Sequence, residues 1–198
     1  MPKASAFVYH PVMSRIVLGL RAQKGGAVIV ALSLAADGPR LLLSDFLPTA
    51  AEGDRLAFEP YAVAAEMDLN EAATAVAEGR KRQDDMAAQG LRAIIGRLEE
   101  KPVAAALLVN RAGWITDLLG YSREWAEHIP VAEGLAVREA LRFAVARSGL
   151  KLVELDEKSL PDRAAQAGID AGLTALGKVT AKPWRKEQKL ACLAAWVA

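Results

Sequence analysis

The chain is predicted to take an α/β fold, a mixed sheet of three antiparallel strands followed by two parallel ones, flanked by helices on both faces. Three observations predict it. Short apolar runs separated by Gly, Asp and Pro open the chain, as strands joined by hairpins do. A long amphipathic stretch comes next. After it, strand-like and helical segments alternate, and that alternation demands parallel crossover connections.

The first strand is "RIVLGL" (15–20). "GGAVIVALSL" (25–34) has little polar alternation and is predicted to be buried on both faces. "PRLLLSDFL" (39–47) follows the turn signal "ADGP". The stretch 48–68 is predicted to be an irregular insertion, because Pro48, Gly53 and Pro60 argue against one continuous element; a short helix fits 61–66.

A long helix follows, capped by Asp68 or Asn70, with Glu71 in its first turn to favour the dipole. Ala72, Val76, Met86, Ala87, Leu91, Ile94, Ile95 and Leu98 recur at helical spacing. The block "EGRKRQDD" (78–85) interrupts that stripe, and Gly79 costs about 1 kcal/mol relative to alanine. A bend or a late start is therefore expected, with Lys101 and Pro102 ending the helix. "VAAALLVN" (103–110) reads as a buried strand, and 111–130 as a turn-rich connection. In "VAEGLAVREALRFAVARSG" (131–149), Leu135, Val137, Leu141, Ala144 and Val145 share one helical face, and Gly149 stops the helix. "LKLVELD" (150–156) alternates like a strand. Helices at about 161–177 and 183–198 complete the order β-β-β-α-β-α-β-α-α.

With 198 residues, 53% hydrophobic and 25% charged, the chain can fill a real core. One domain over 1–198 is expected, with 1–12 as an N-terminal extension. A net charge of +1 gives no global field for nucleic acid or membrane, so a basic site must be a local patch. The single cysteine, Cys192, excludes an internal disulfide and sits among apolar residues, where a thiol packs as a small hydrophobe. No apolar run reaches the ~20 residues that span a bilayer, and the start lacks a signal-peptide core. A cytoplasmic location without membrane contact is expected.

The element order and local patterns resemble the RuvC-like resolvase branch of the ribonuclease H-like superfamily over roughly 15–198. "IVLGLRAQKGGAVIVAL" resembles the family's opening strand and turn, and "AAALLVN" its apolar fourth strand. "VAEGLAVREALRFAVARSGLKLVELDEKSL" resembles the following helix–strand unit, and "RKEQKLACLAAWVA" the last helix. The resemblance implies metal-assisted phosphodiester hydrolysis, in which three or four carboxylates converge on two Mg²⁺ ions. Carried over by position, the first-strand carboxylate becomes Arg21 and the fourth-strand carboxylate Asn110. In the last helix Glu187 remains, but Ala191 stands one turn later. On this alignment the two-metal site is absent. The chain is then expected to be a non-catalytic binding or scaffold module for nucleic acid or a protein, without a cofactor. The alternative is a metal-dependent nuclease with relocated acids, in which Asp45, Glu133 and Glu187 would hold Mg²⁺. As structural residues, Asp45 would face water and Glu133 would serve a helix dipole.

Two further sets suit binding. Arg21, Lys24, Arg111, Lys182, Arg185 and Lys186, with Asn110, would ring the vacated pocket and hold phosphate or another anion; the competing reading is a solvated scatter of charge. Trp114, Tyr121 and Trp125, in "WITDLLGYSREW", would anchor a partner or a second copy of the chain, or else cover the open end of the sheet. His10 and His128 lack the third ligand that zinc requires. No serine sits in a nucleophile elbow, and "QKGGA" is not a P-loop.

Overall fold

The computed structural model describes residues 14–110, 114–166, 168–178 and 184–198. The extension 1–12, His10, Arg111 and Lys182 lie outside the described residues.

Five strands form one sheet in the order β3-β2-β1-β4-β5. β1 (Arg15–Gln23), β2 (Gly26–Ala35) and β3 (Gly38–Pro48) are antiparallel neighbours. β4 (Ala104–Val109) runs parallel to β1, and β5 (Lys151–Asp156) parallel to β4. The expected mixed sheet is present. β2 sits inside the sheet and is buried from Gly26 to Ser33, in accord with its missing polar alternation. The β2–β3 register shifts between Ala31 and Leu32 of β2, which passes over Leu42 of the edge strand β3, 44% exposed, as a β-bulge does.

Period-two alternation sends β1 side chains to two cores. Leu18 and Leu20 join Ile29, Leu107, Leu91 and Leu141 on one face. There α3 (Leu69–Ile95) and α5 (Ile129–Arg147) cover the sheet. Val17 and Val30 face the other way, against Ala191, Cys192 and Ala195 of α8 (Lys186–Val197). Ala106 and Leu108 meet Leu160 of α6 (Leu160–Gln166) and Ala194 on that same face. Each large apolar side chain fully buried this way contributes about 1.5–3 kcal/mol. The small side chains of α8 let it settle close to the sheet. Gly19 shows how close, since a Cβ there would overlap the carbonyl of Ala191.

Three expectations are corrected. The stretch 48–68, expected to be irregular apart from a short helix over 61–66, holds two short helices, α1 (Arg55–Phe58) and α2 (Pro60–Ala65), the second close to the expected one. Asp54 caps α1 by accepting from the Ala57 N–H at 3.1 Å, and Pro60 opens α2, so the breakers separate elements instead of abolishing them. Secondly, α3 is one continuous helix from its Asp68 cap to Gly96, ending before Lys101. Gly79 makes room for α1: a Cβ there would lie 2.5 Å from the Leu56 carbonyl oxygen. The charged block pairs outward, Arg82 with Glu78 at 2.9 Å and Lys81 with Asp85 at 3.2 Å, while buried Gln83 donates to the Ala57 carbonyl at 2.7 Å. Thirdly, the expected helix 161–177 is two, α6 and α7 (Asp170–Lys178), with Gly168 between them at φ +66°. The connection 111–130 contains α4 (Leu118–Glu124) and a single 3₁₀ turn over Ala126–His128.

Candidate functional site

Because β1, β4 and β5 run parallel, their carboxyl ends open on one edge of the sheet. In α/β sheets this edge is where ligands collect. Arg21 lies near the end of β1, opposite Leu108, and Asn110 is exposed just past β4. Glu157 begins the turn that follows β5. Arg21 reaches across the end of β4 to that carboxylate: its Nη2 donates to Oε1 at 3.0 Å and its Nε to the same oxygen at 3.3 Å. The pair is about three-quarters sheltered, the two side chains being 21% and 31% exposed. Asp156 helps fix it, since its Oδ1 accepts from the Lys158 N–H at 3.0 Å and so shapes the turn that carries Glu157.

Arg138 of α5 belongs to the same neighbourhood. Burial pushes its guanidinium below the ordinary arginine value, Glu157 works against that, and Arg142 and Arg21 reinforce it. Its Nη1 donates to the Gly134 carbonyl at 2.9 Å. Beside it, Arg142 holds Glu154 of β5 at 2.6 Å and Glu139 at 2.7 Å. The edge is thus a lattice of arginines and carboxylates.

The expected anion ring divides. Arg21 is engaged with Glu157, and Lys24 with Glu59 at 3.1 Å, its ammonium 4.8 Å from the centre of the Phe58 ring. Arg185 and Lys186 are exposed at the start of α8, where the Arg185 N–H donates to the Gln188 side chain at 3.2 Å.

The three acids weighed for a relocated metal site serve separate structural ends. Asp45 accepts from Arg97 at 2.6 Å and from the Phe46 N–H at 2.9 Å. Glu187 stands in the first turn of α8, where a carboxylate suits the dipole. Glu133 lies in the second turn of α5, not at its start, and its partner is another helix. Its Oε1 accepts from the N–H groups of Tyr61 at 2.8 Å and Ala62 at 3.0 Å, orphan donors in the first turn of α2. Burial raises its carboxyl to about 7 against the pull of those two donors. Among the described residues no three His, Cys, Asp or Glu side chains stand together as metal ligands would.

Of the aromatics, Trp114 and Trp125 are 71% and 68% exposed, so they do not cover the sheet edge. Tyr121 stacks on His128 with ring centres 3.8 Å apart and meets Trp114 edge-on at 5.8 Å.

Strand order 3-2-1-4-5, with the first three strands antiparallel and the last two parallel, can be set beside solved structures. The chain is similar to Thermus thermophilus RuvC in complex with a Holliday junction substrate, with a TM-score of 0.56 over 92% of this chain and 91% of that one, at 11% identity. The fold is RuvC-like. A second Thermus thermophilus RuvC structure gives a TM-score of 0.54 at 10% identity, with 92% and 91% covered. The yeast mitochondrial Holliday junction resolvase Ydc2 gives 0.49 at 12% identity, over 96% of this chain and 79% of that one. No family model and no curated protein matches the sequence.

In this RuvC-like frame the residues that sequence reasoning missed are Glu157 and Arg138. Glu157 had a usable signal: it directly follows a strand parallel to β4 and so must emerge at the edge that Arg21 occupies. Arg138 had none, because arginines on a surface helix normally face water.

Proposed function

We propose that this RuvC-like chain is a non-catalytic, cytoplasmic single-domain protein that binds nucleic acid at the carboxyl edge of its sheet. One observation carries the reading: where the resemblance expects the first metal-binding carboxylate, Arg21 stands, and its charge is already matched by Glu157 at 3.0 Å. The residues present do not fit a pair of divalent ions. A guanidinium repels Mg²⁺, and the nearest carboxylate is spent on that guanidinium. Arginines do fit phosphate, which they grip through several N–H donors. The similarity to a RuvC held in complex with a Holliday junction substrate supports nucleic acid as the class of ligand. Binding would exchange part of the Arg21–Glu157 pairing for a phosphate contact and would add Arg185 and Lys186 from α8.

The test is fluorescence anisotropy with a four-way DNA junction and a single strand, across a salt series. Affinity is expected to fall with salt and to drop in Arg21→Glu and Lys186→Glu. Equal affinity in both variants would overturn the edge as the binding site. Junction cleavage in Mg²⁺ that Glu187→Ala abolishes would restore the nuclease reading.

A second reading rests on Trp114 and Trp125, whose large apolar surfaces stand in solvent. They suit a protein partner or a second copy of the chain. Sedimentation velocity of wild type against Trp125→Ala tests self-association, and a concentration-dependent shift that the variant loses is the expected result.

A further inference from the structure

Two phenyl rings stand in solvent beside the carboxyl end of β1, Phe46 of β3 at 41% exposure and Phe58 of α1 at 38%. Both lie over the turn that joins β1 to β2. A Cβ at Gly25 would come within 2.5 Å of the Phe58 ring, and one at Gly26 within 2.6 Å of the Phe46 ring. Only a turn without side chains lets both rings rest on its backbone. The rings line one groove of about 490 Å³, whose apolar wall Pro48, Ala50 and Ala51 extend. Four charged side chains also line it and sum to zero, Lys24 and Arg55 against Glu52 and Asp54. Pairing register ties the groove to Arg21. Arg21 pairs with Val28, and Val28 with Phe46. Residues paired directly across a sheet point to the same face, so the three form one row. The Cα atoms of Arg21 and Phe46 are then two strand spacings apart, about 10 Å.

We infer, resting on the nucleic-acid reading of this edge, that Phe46 and Phe58 form a stacking platform for an unpaired base, so that the chain favours single-stranded over fully paired DNA. A nucleotide carries the two chemistries that the row presents: a phosphate for the guanidinium and a flat, uncharged base for the ring. Bases within a duplex stack on one another and hide their faces, whereas an unpaired base offers a face to an aromatic side chain whatever its identity. Charge assigns each half of the nucleotide its place. The groove is neutral as a whole, and the carboxylates of Glu52 and Asp54 turn phosphate away from it while admitting a neutral base. Phosphate is drawn instead to Arg21 and to exposed Lys24, three residues further along the chain. Lys24 lies over the Phe58 ring, its ammonium 4.8 Å from the ring centre, so a phosphate that draws Lys24 aside uncovers that ring.

Fluorescence anisotropy of the full chain tests the inference, with an oligothymidine of about 15 nucleotides and a blunt duplex of the same length as probes. The single strand is expected to bind about tenfold more tightly than the duplex at equal salt. Phe46→Leu and Phe58→Leu keep apolar bulk but remove the ring. Each should weaken the single strand about tenfold, leave the duplex as it was and keep the wild-type thermal transition. Phe46→Trp retains an aromatic face and should hold wild-type affinity. Unchanged single-strand affinity in both leucine variants would overturn the platform, and a self-association that the same variants lose would then give the rings to a second copy of the chain. Equal affinity of the wild type for both probes, or an equal loss on both probes in the folded leucine variants, would overturn it too. If Arg21→Glu weakens both probes while the leucine variants are silent, the Arg21 edge stands and only the platform falls; if neither probe binds, the edge falls and the platform with it.

Discussion

The residue that most changes its meaning between sequence and structure is Glu133. As a letter near a helix start it suits a dipole; in the fold its carboxyl ties α5 to the N-terminus of α2. Its carboxyl rises from 4.5 to about 7 because burial outweighs those two hydrogen bonds. A carboxyl whose folded value lies above its unfolded one stabilises the fold fully below about 4.5 and loses that contribution as pH rises through about 7. The wild type should therefore be weaker at pH 8 than at pH 5 by a term that Glu133→Gln lacks, on the order of 2–3 kcal/mol. Urea midpoints of both proteins at the two pH values check this; parallel pH profiles would refute it. Arg21 and Glu157 are a different case. Their pairing is partly sheltered and closes on a single carboxylate oxygen, so a double-alanine cycle should give a coupling of about 1 kcal/mol or less.

Elements were legible wherever a local pattern decided them. The five strands stand within about three residues of their expected ends, because apolar runs bounded by Gly and Pro leave the backbone few alternatives. α3 shows what a local reading misses. Gly79 and the charged block argue for a broken helix in isolation, yet Gly79 is the seat of α1 and the charges pair along the surface. Nothing within the helix announces a neighbour that arrives from 55–58. Asp68→Ala removes the oxygen that accepts from Asn70 and Glu71, each at 3.0 Å, and should cost about 1 kcal/mol in chemical denaturation. Gly19→Ala forces a methyl into the α8 backbone and should cost about 1–3 kcal/mol. A neutral Gly19→Ala would mean that α8 sits farther from the sheet than described.

For the whole molecule, the mixed sheet of three antiparallel and two parallel strands was readable, because three hairpin-like runs followed by helix–strand alternation admit few topologies. The site was only half readable. Arg21 could be placed from the sequence, but its partner is 136 positions away and is delivered by a strand on the far side of β4. The paired edge also bears on salt dependence: since Arg21 must give up Glu157 to grip phosphate, Glu157→Gln should tighten junction binding at low salt, and equal affinity would place the phosphate elsewhere. Packing of α8 has a practical corollary. Cys192 is fully shielded between helix and sheet, and burial lifts its thiol to about 12. An alkylating or disulfide reagent can reach this sulfur only when the terminal helix lifts away. The chain thus carries a built-in clock, and its rate of thiol labelling in native buffer times the opening of its last structural layer without any engineered reporter.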